Sequence, residues 1–223
     1  MEIAISKIIR TSRRSISFEI REDASLVIRA PRWLPQQELY RILEKKKPWI
    51  IRTQKRVASR SRSLYIKKFS EGEKFLYLGN EYPLRLVDSA CARVDFDNGF
   101  LLPRACAAQA KQLFIAWYKF AARGVLRDRV AGFTELLNVT PAKLTVTGAA
   151  SRWGSCTSKA NINFSWRLVM APLEVIDYVV VHELSHISIK NHSRDFWSKV
   201  GQMLPEYTQR RAWLKTHGHM LTI

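Results

Sequence analysis

Cysteine is scarce in this chain of 223 residues: Cys91, Cys106 and Cys156 are an odd number with no CxxC spacing. That excludes a disulfide framework and a cysteine zinc cluster, and it fits a reducing compartment. Long apolar runs are missing too. No stretch approaches the roughly 18 residues of a membrane span. The N-terminus, MEIAISKIIRTSRRS, alternates polar and apolar residues and lacks the apolar core of a signal peptide. A cytoplasmic protein with no membrane partner is expected. Also absent is a GxxxxGK[ST] phosphate loop, so any nucleotide would have to be held by side chains and metal.

Acidic residues are the minority charge, 19 against 37 Lys and Arg, for a net +18. A surplus of this size attracts nucleic acid, nucleotides or other acidic partners and says nothing of fold. It is unevenly placed: residues 1–70 carry 18 basic and 6 acidic side chains, residues 71–140 carry 9 and 8, and residues 141–223 carry 10 and 5. The basic residues of 41–68 are therefore expected either to solvate a helix face or to meet nucleic acid. Nothing in the sequence fixes an oligomeric state.

The expected fold class is α+β, with a β-rich region over 1–103 and a helical, metal-binding domain over 104–223. Ile3 to Ile9, Ser15 to Ile20 and Leu26 to Arg29 read as short strands with a hairpin-like start. A basic helical segment near 35–60 follows, interrupted at Lys45-Lys46-Lys47-Pro48 because proline does not sit comfortably inside a helix. Further strands are expected over Phe75–Leu78, Tyr82–Val87, Arg93–Phe96 and Phe100–Leu102, with a tight turn at Asp97-Asn98-Gly99. Residues 105–137 carry apolar positions suited to one long helix, or to two broken near Gly124 or Gly132. Leu144 to Thr147 and Asn161 to Leu168 read as strands.

All five histidines lie between 182 and 219, and three fall in HELSHISIKNH, residues 182–192. On a helix, positions four apart differ by about 40° around the axis, so His182 and His186 project from one face. Two imidazoles can then hold one ion, and Glu183 beside them reaches a metal-bound water rather than the metal. The segment 172–190 is too long for a strand despite its β-branched content, so length decides for helix. A catalytic zinc generally has three protein ligands and one open position. His192 is the candidate for the third, with Asn191 in a left-handed conformation turning the chain back. A chance HExxH in this composition has a probability below about one in a hundred. The metzincin pattern has the same spacing but needs Gly where this chain has Ile189, so that class is not assigned.

This constellation predicts a zinc hydrolase in which Glu183 serves as general base and then returns the proton to the leaving group. Arg152, Arg167, Tyr207 and the amides around Gly154 are candidates for binding substrate or a developing oxyanion. His217 and His219 are expected to be solvent-facing or locally bonded.

Residues 151–197, SRWGSCTSKANINFSWRLVMAPLEVIDYVVVHELSHISIKNHSRDFW, closely resemble the bacterial YgjP-like family of metallopeptidases. The resemblance continues through Leu204-Pro205-Glu206-Tyr207 and Arg210-Arg211-Ala212-Trp213-Leu214-Lys215, and upstream to Tyr77-Leu78-Gly79 with Tyr82-Pro83. It implies zinc on His182, His186 and His192, a catalytic Glu183, and a zincin-like α+β domain similar in outline to SprT-like proteases. It also implies two substrate classes, a peptide or protein, or a nucleoside triphosphate such as UTP. The second, a pyrophosphatase reaction, would call for an additional divalent ion such as Mg2+ to neutralise phosphate charge.

Overall fold

Three short strands near the N-terminus sort themselves by how apolar they are. Strand β3 (Leu26–Pro31) buries Leu26, Val27 and Ile28 completely and takes the centre of its sheet. The more polar β1 (Ile5–Thr11) and β2 (Ser17–Ile20) take the edges, β1 parallel to β3 and β2 antiparallel to it. The expected hairpin therefore joins β2 to β3, and β1 does not pair with β2. The structure, a computed structural model, describes residues 5–21, 24–58, 67–90 and 92–223, so Ile3, Ala4 and Cys91 lie outside the described residues. By its internal contacts the chain divides into two units, Met1–Ile66 and Lys67–Ile223.

In the first unit, helix α1 (Gln36–Ala58) runs unbroken through Pro48, contrary to the expected interruption. Pro48 is exposed, so the Glu44 carbonyl that loses its intrahelical donor faces water. Leu39, Leu43 and Ile50 share the face that closes the core with Leu26, Ile28, Ala30 and Leu34, and packing on both sides of Pro48 keeps one axis. Residues 59–66, the end of the basic stretch, lie outside the described residues.

The second unit begins with β4 (Lys74–Tyr77) and β5 (Asn80–Val87), followed by β6 (Asp95–Phe96) and β7 (Phe100–Pro103), in sheet order β4-β5-β7-β6. The turn at Asp97-Asn98-Gly99 closes the β6–β7 hairpin as expected, with Asn98 at φ 46°. The change of composition at 103 is the passage from β7 into a 3-10 helix (Arg104–Gln109) inside this unit, whose strands share one core with the helices that follow. Helix α2 (Ala110–Leu137) is continuous and ends on left-handed Asn138. It buries Ala110, Phe114, Tyr118, Ala122, Leu126 and Val130, one residue per turn, against the sheet and the later helices. Neither Gly124 nor Gly132 breaks it, and a Cβ at Gly132 meets nothing within 4 Å. Gly132→Ala is therefore expected to stabilise the protein by about 0.8–1 kcal/mol, read from urea denaturation midpoints.

A second sheet holds β8 (Lys143–Thr147), β9 (Gly154–Cys156) and β10 (Asn161–Ser165) in the order β8-β10-β9, with β8 parallel and β9 antiparallel to β10. After a 3-10 turn (Trp166–Met170) come α3 (Leu173–Ser188), α4 (Arg194–Met203) and α5 (Tyr207–His217). The fold is α+β: β-sheet elements dominate the N-terminal part, and the C-terminal helices bring the three histidines together, His182 and His186 on α3 and His192 on the link to α4. No helix among the described residues is long and apolar enough to cross a membrane. Cys106 and Cys156 are free thiols.

Two contacts set the position of α3. The Arg129 guanidinium on α2 grips the Asp177 carboxylate with two hydrogen bonds of 2.6 and 2.8 Å. The β4–β5 turn reaches the helix start: Leu78 and Gly79 donate their N–H groups to Val169 O and Met170 O at 2.9 and 3.2 Å. Both turn residues have positive φ, and a Cβ on Gly79 would lie 2.8 Å from Pro172 Cα. Gly79→Ala is expected to cost at least about 2 kcal/mol, the left-handed backbone and the clash together. Gly72, at φ 77° with nothing within 4 Å of its Cβ, gives the control. Gly72→Ala carries the backbone cost alone, and equal losses for the two variants would deny the clash.

Candidate metal centre

Helix α3 is apolar on nearly every side and buried along most of its length. One row of residues four apart, Tyr178, His182 and His186, runs along one face of it. The rings of His182 and His186 lie 4.9 Å apart at 85°, and Tyr178 meets His182 edge-on at 5.9 Å. The helix ends at Ser188, and Ile189 leaves it in an extended conformation, φ −123° and ψ 106°. The return toward the helix is not made by a left-handed Asn191, since its φ is not positive. Instead the Asn191 side-chain oxygen accepts from Ser193 N, and Ser193 in turn caps α4 by accepting from Phe196 N. These two caps fix the short link that carries His192.

The three imidazoles converge through the same atom. His192 Nε2 lies 3.1 Å from His182 Nε2 and 3.2 Å from His186 Nε2, and the three ligand atoms fall within 4.8 Å of one another. Tetrahedral zinc with Zn–N bonds of 2.0–2.1 Å requires N···N separations of about 3.3 Å. His186 Nδ1 faces Ile189 O at 3.0 Å and can only donate to a carbonyl, which leaves a lone pair on its Nε2. Lone pairs brought this close repel unless a cation lies between them, so the donor set fits a divalent metal such as zinc. Phe196 supports all three rings, flat against His186 at 4.4 Å and edge-on to His182 and His192 at 4.9 Å each. Burial, then the charges of His186, His192 and Arg211, push the His182 pKa down to about 3, so this ring stays neutral and able to ligate. His192 is on the solvent side of the group.

Glu183, only 6 % exposed, turns toward β9. A Cβ at Gly154 would lie 2.6 Å from both its Cγ and its Oε1, so the strand passes this close only because residue 154 has no side chain. Burial raises the Glu183 pKa to about 7, against an opposing pull from the charge of Arg152. The carboxyl thus titrates near neutrality in the absence of a metal ion.

The other expected residues separate. Arg152 is exposed and acts on Glu183 through its charge. Arg167 is engaged elsewhere, donating to Gly148 O at 3.0 Å with its guanidinium 4.4 Å over Trp166, and so ties down the link between β8 and β9. Tyr207 opens α5 and stacks on Trp197 at 5.3 Å and 16°, while Trp197 lies on His192 at 5.6 Å and 26°. His217 is locally bonded through Nδ1 to Trp213 O at 3.1 Å. Sequence reasoning did not single out Tyr178 or Arg211. Arg211 follows Tyr207 by one turn of α5, sits 4.9 Å over Trp197, and its charge reaches His182, His192 and Tyr178. The four-residue spacings 178–182 and 207–211 were the available signals.

An α+β fold with a helix that presents two histidines and a third returned beside them defines a protein with a candidate metal site. The profile described as "YgjP-like, metallopeptidase domain" matches residues 14–217, and the chain belongs to that family. Among solved structures it is similar to the metallopeptidase zymogen of Pyrococcus abyssi abylysin, at 19 % identity and a TM-score of 0.37. That likeness covers 40 % of this chain and 93 % of the other. No curated protein matches.

Proposed function

We propose that this protein is a zinc-dependent peptidase in which His182, His186 and His192 hold the metal and Glu183 is the general base. The observation that carries the reading is the setting of Glu183, a buried carboxylate on the residue after His182 that packs against Gly154 of a sheet-edge strand. Strand β9 is the outer strand of its sheet and, among the described residues, pairs only with β10. An extended peptide can add to such an edge by main-chain hydrogen bonds, which would bring its scissile bond past Glu183.

A zinc ion held by His182, His186 and His192 would supply Lewis acidity to the scissile carbonyl and to water. Glu183 Oε accepts the proton of the attacking water and afterwards delivers it to the leaving amine nitrogen. Tyr207 and Arg211, presented together by α5 beside Trp197, are placed to favour negative charge on the carbonyl oxygen. Arg152 keeps a share of Glu183 ionised near neutrality. Arg167, already bonded to Gly148 O, has a structural part.

Zinc-loaded protein incubated with an unfolded protein such as casein and, separately, with UTP plus Mg2+ tests the reading. New peptide termini without pyrophosphate release support it. Release of pyrophosphate from UTP with casein intact would replace it with the nucleotide reaction.

A further inference from the structure

We infer that the first unit binds single-stranded nucleic acid along one strip of α1, where cations flank an exposed indole. Residues 1–66 carry 16 Lys and Arg against 6 Asp and Glu. On α1, Arg41, Lys45, Trp49 and Arg52 fall within about 80° of arc and extend along about 16 Å of helix. All four are exposed, Trp49 at 40 %. Arg41 shares a surface ion pair with Glu38 at 3.0 Å, a contact that contributes little and leaves the guanidinium open to solvent. Lys45 and Arg52 have no acidic partner among the described residues, since the other acid of the helix, Glu44, is taken by Lys47 at 3.1 Å.

A run of cations alone would serve solubility, but an exposed tryptophan within it does not. Trp49 is not needed by the core, which α1 closes with Leu39, Leu43 and Ile50. Trp33 at 70 % and Tyr40 at 44 % exposure are further exposed rings of the same unit, Trp33 before α1 and Tyr40 on another side of it. Every exposed Trp or Tyr among the described residues lies in this unit. Guanidinium and ammonium groups to follow a phosphate backbone, with flat rings between them on which unpaired bases stack, are the two components of single-strand recognition. A membrane surface fits less well: the apolar face of α1 is committed to the core, which leaves no apolar stripe to insert between lipids. A duplex offers the same phosphates but keeps its base faces covered.

The test is fluorescence anisotropy of a labelled oligothymidylate with the full-length protein over a salt series, beside a duplex of equal length and vesicles containing phosphatidylserine. Binding to the single strand should weaken with salt, and combining Arg41→Ala, Lys45→Ala and Arg52→Ala should flatten the log–log slope by about 2. Trp49→Ala should weaken binding by at least about fivefold without changing the slope, and Trp49→Phe should restore most of it. Glu183→Gln should bind as the unmodified protein does. No binding at low salt, indifference to Trp49→Ala, tighter binding of the duplex, or binding to vesicles alone would each overturn the inference.

Discussion

Glu183→Gln is expected to lower kcat on a peptide substrate by about 10²–10⁴-fold while leaving the bound metal in place. Glutamine keeps the volume and the packing against Gly154 but cannot take a proton. Because the three ligand nitrogens belong to other residues, metal content measured by atomic absorption should match that of the unmodified protein. Loss of metal together with activity would mean that Glu183 holds the ion and is not the base. The pH profile carries the same signature. Glu183 works ionised, so activity should fall on the acid side as the carboxyl takes up its proton. A bound cation moves that limb below the value of about 7 that burial alone produces.

The raised pKa also affects stability in the metal-free protein. The native carboxyl keeps its proton up to about pH 7, whereas an unperturbed one loses it near 4.5. Between these values the native state binds more protons than the unfolded state, so stability decreases as pH rises. The full loss, reached above the native pKa, is roughly 3 kcal/mol. Metal-free Glu183→Gln lacks this term and should therefore melt higher than the metal-free parent above pH 7 but not below 4.5.

Gly154→Ala should come next in size. Its Cβ, 2.6 Å from Glu183 Cγ and Oε1, overlaps the carboxylate, so either β9 or the base must move. A displacement of about 1 Å at a reacting group can cost about 10²-fold in rate. If β9 is what yields, the strand edge that would pair with an extended peptide moves too, and KM should rise with the fall in kcat. The histidines are untouched, and full metal occupancy is expected. A variant with unchanged kcat would show that neither the strand nor the carboxylate needs its present position.

The histidine cluster was far more legible in the sequence than its surroundings. HELSHISIKNH put His182 and His186 on one face by helical spacing alone, and the length of the 172–190 segment rightly outweighed its β-branched residues. How the chain returns His192 was not legible, because extended Ile189 and the caps by Asn191 and Ser193 depend on local bonds without a strong residue signature. Proline at 48 suggested a break that an exposed carbonyl makes unnecessary. The part played by Gly154 was hidden for another reason: an absent side chain is informative only when its neighbour is known, and Glu183 is 29 residues further along. Arg211 comes to the histidines through α5 and Trp197, a tertiary arrangement that no local pattern announces. In the first unit, burial of both faces of β3 decided the strand order, and alternation in β1 and β2 pointed only to edges.

The central claim, a metal-dependent peptidase, is tested most directly by removing metal with a chelator, restoring zinc in steps, and measuring peptide hydrolysis at each occupancy. Activity should return in proportion to bound zinc and saturate at one equivalent, and Glu183→Gln at the same occupancy should stay inactive. Peptide hydrolysis that persists without metal, or that Glu183→Gln retains at full occupancy, would contradict it.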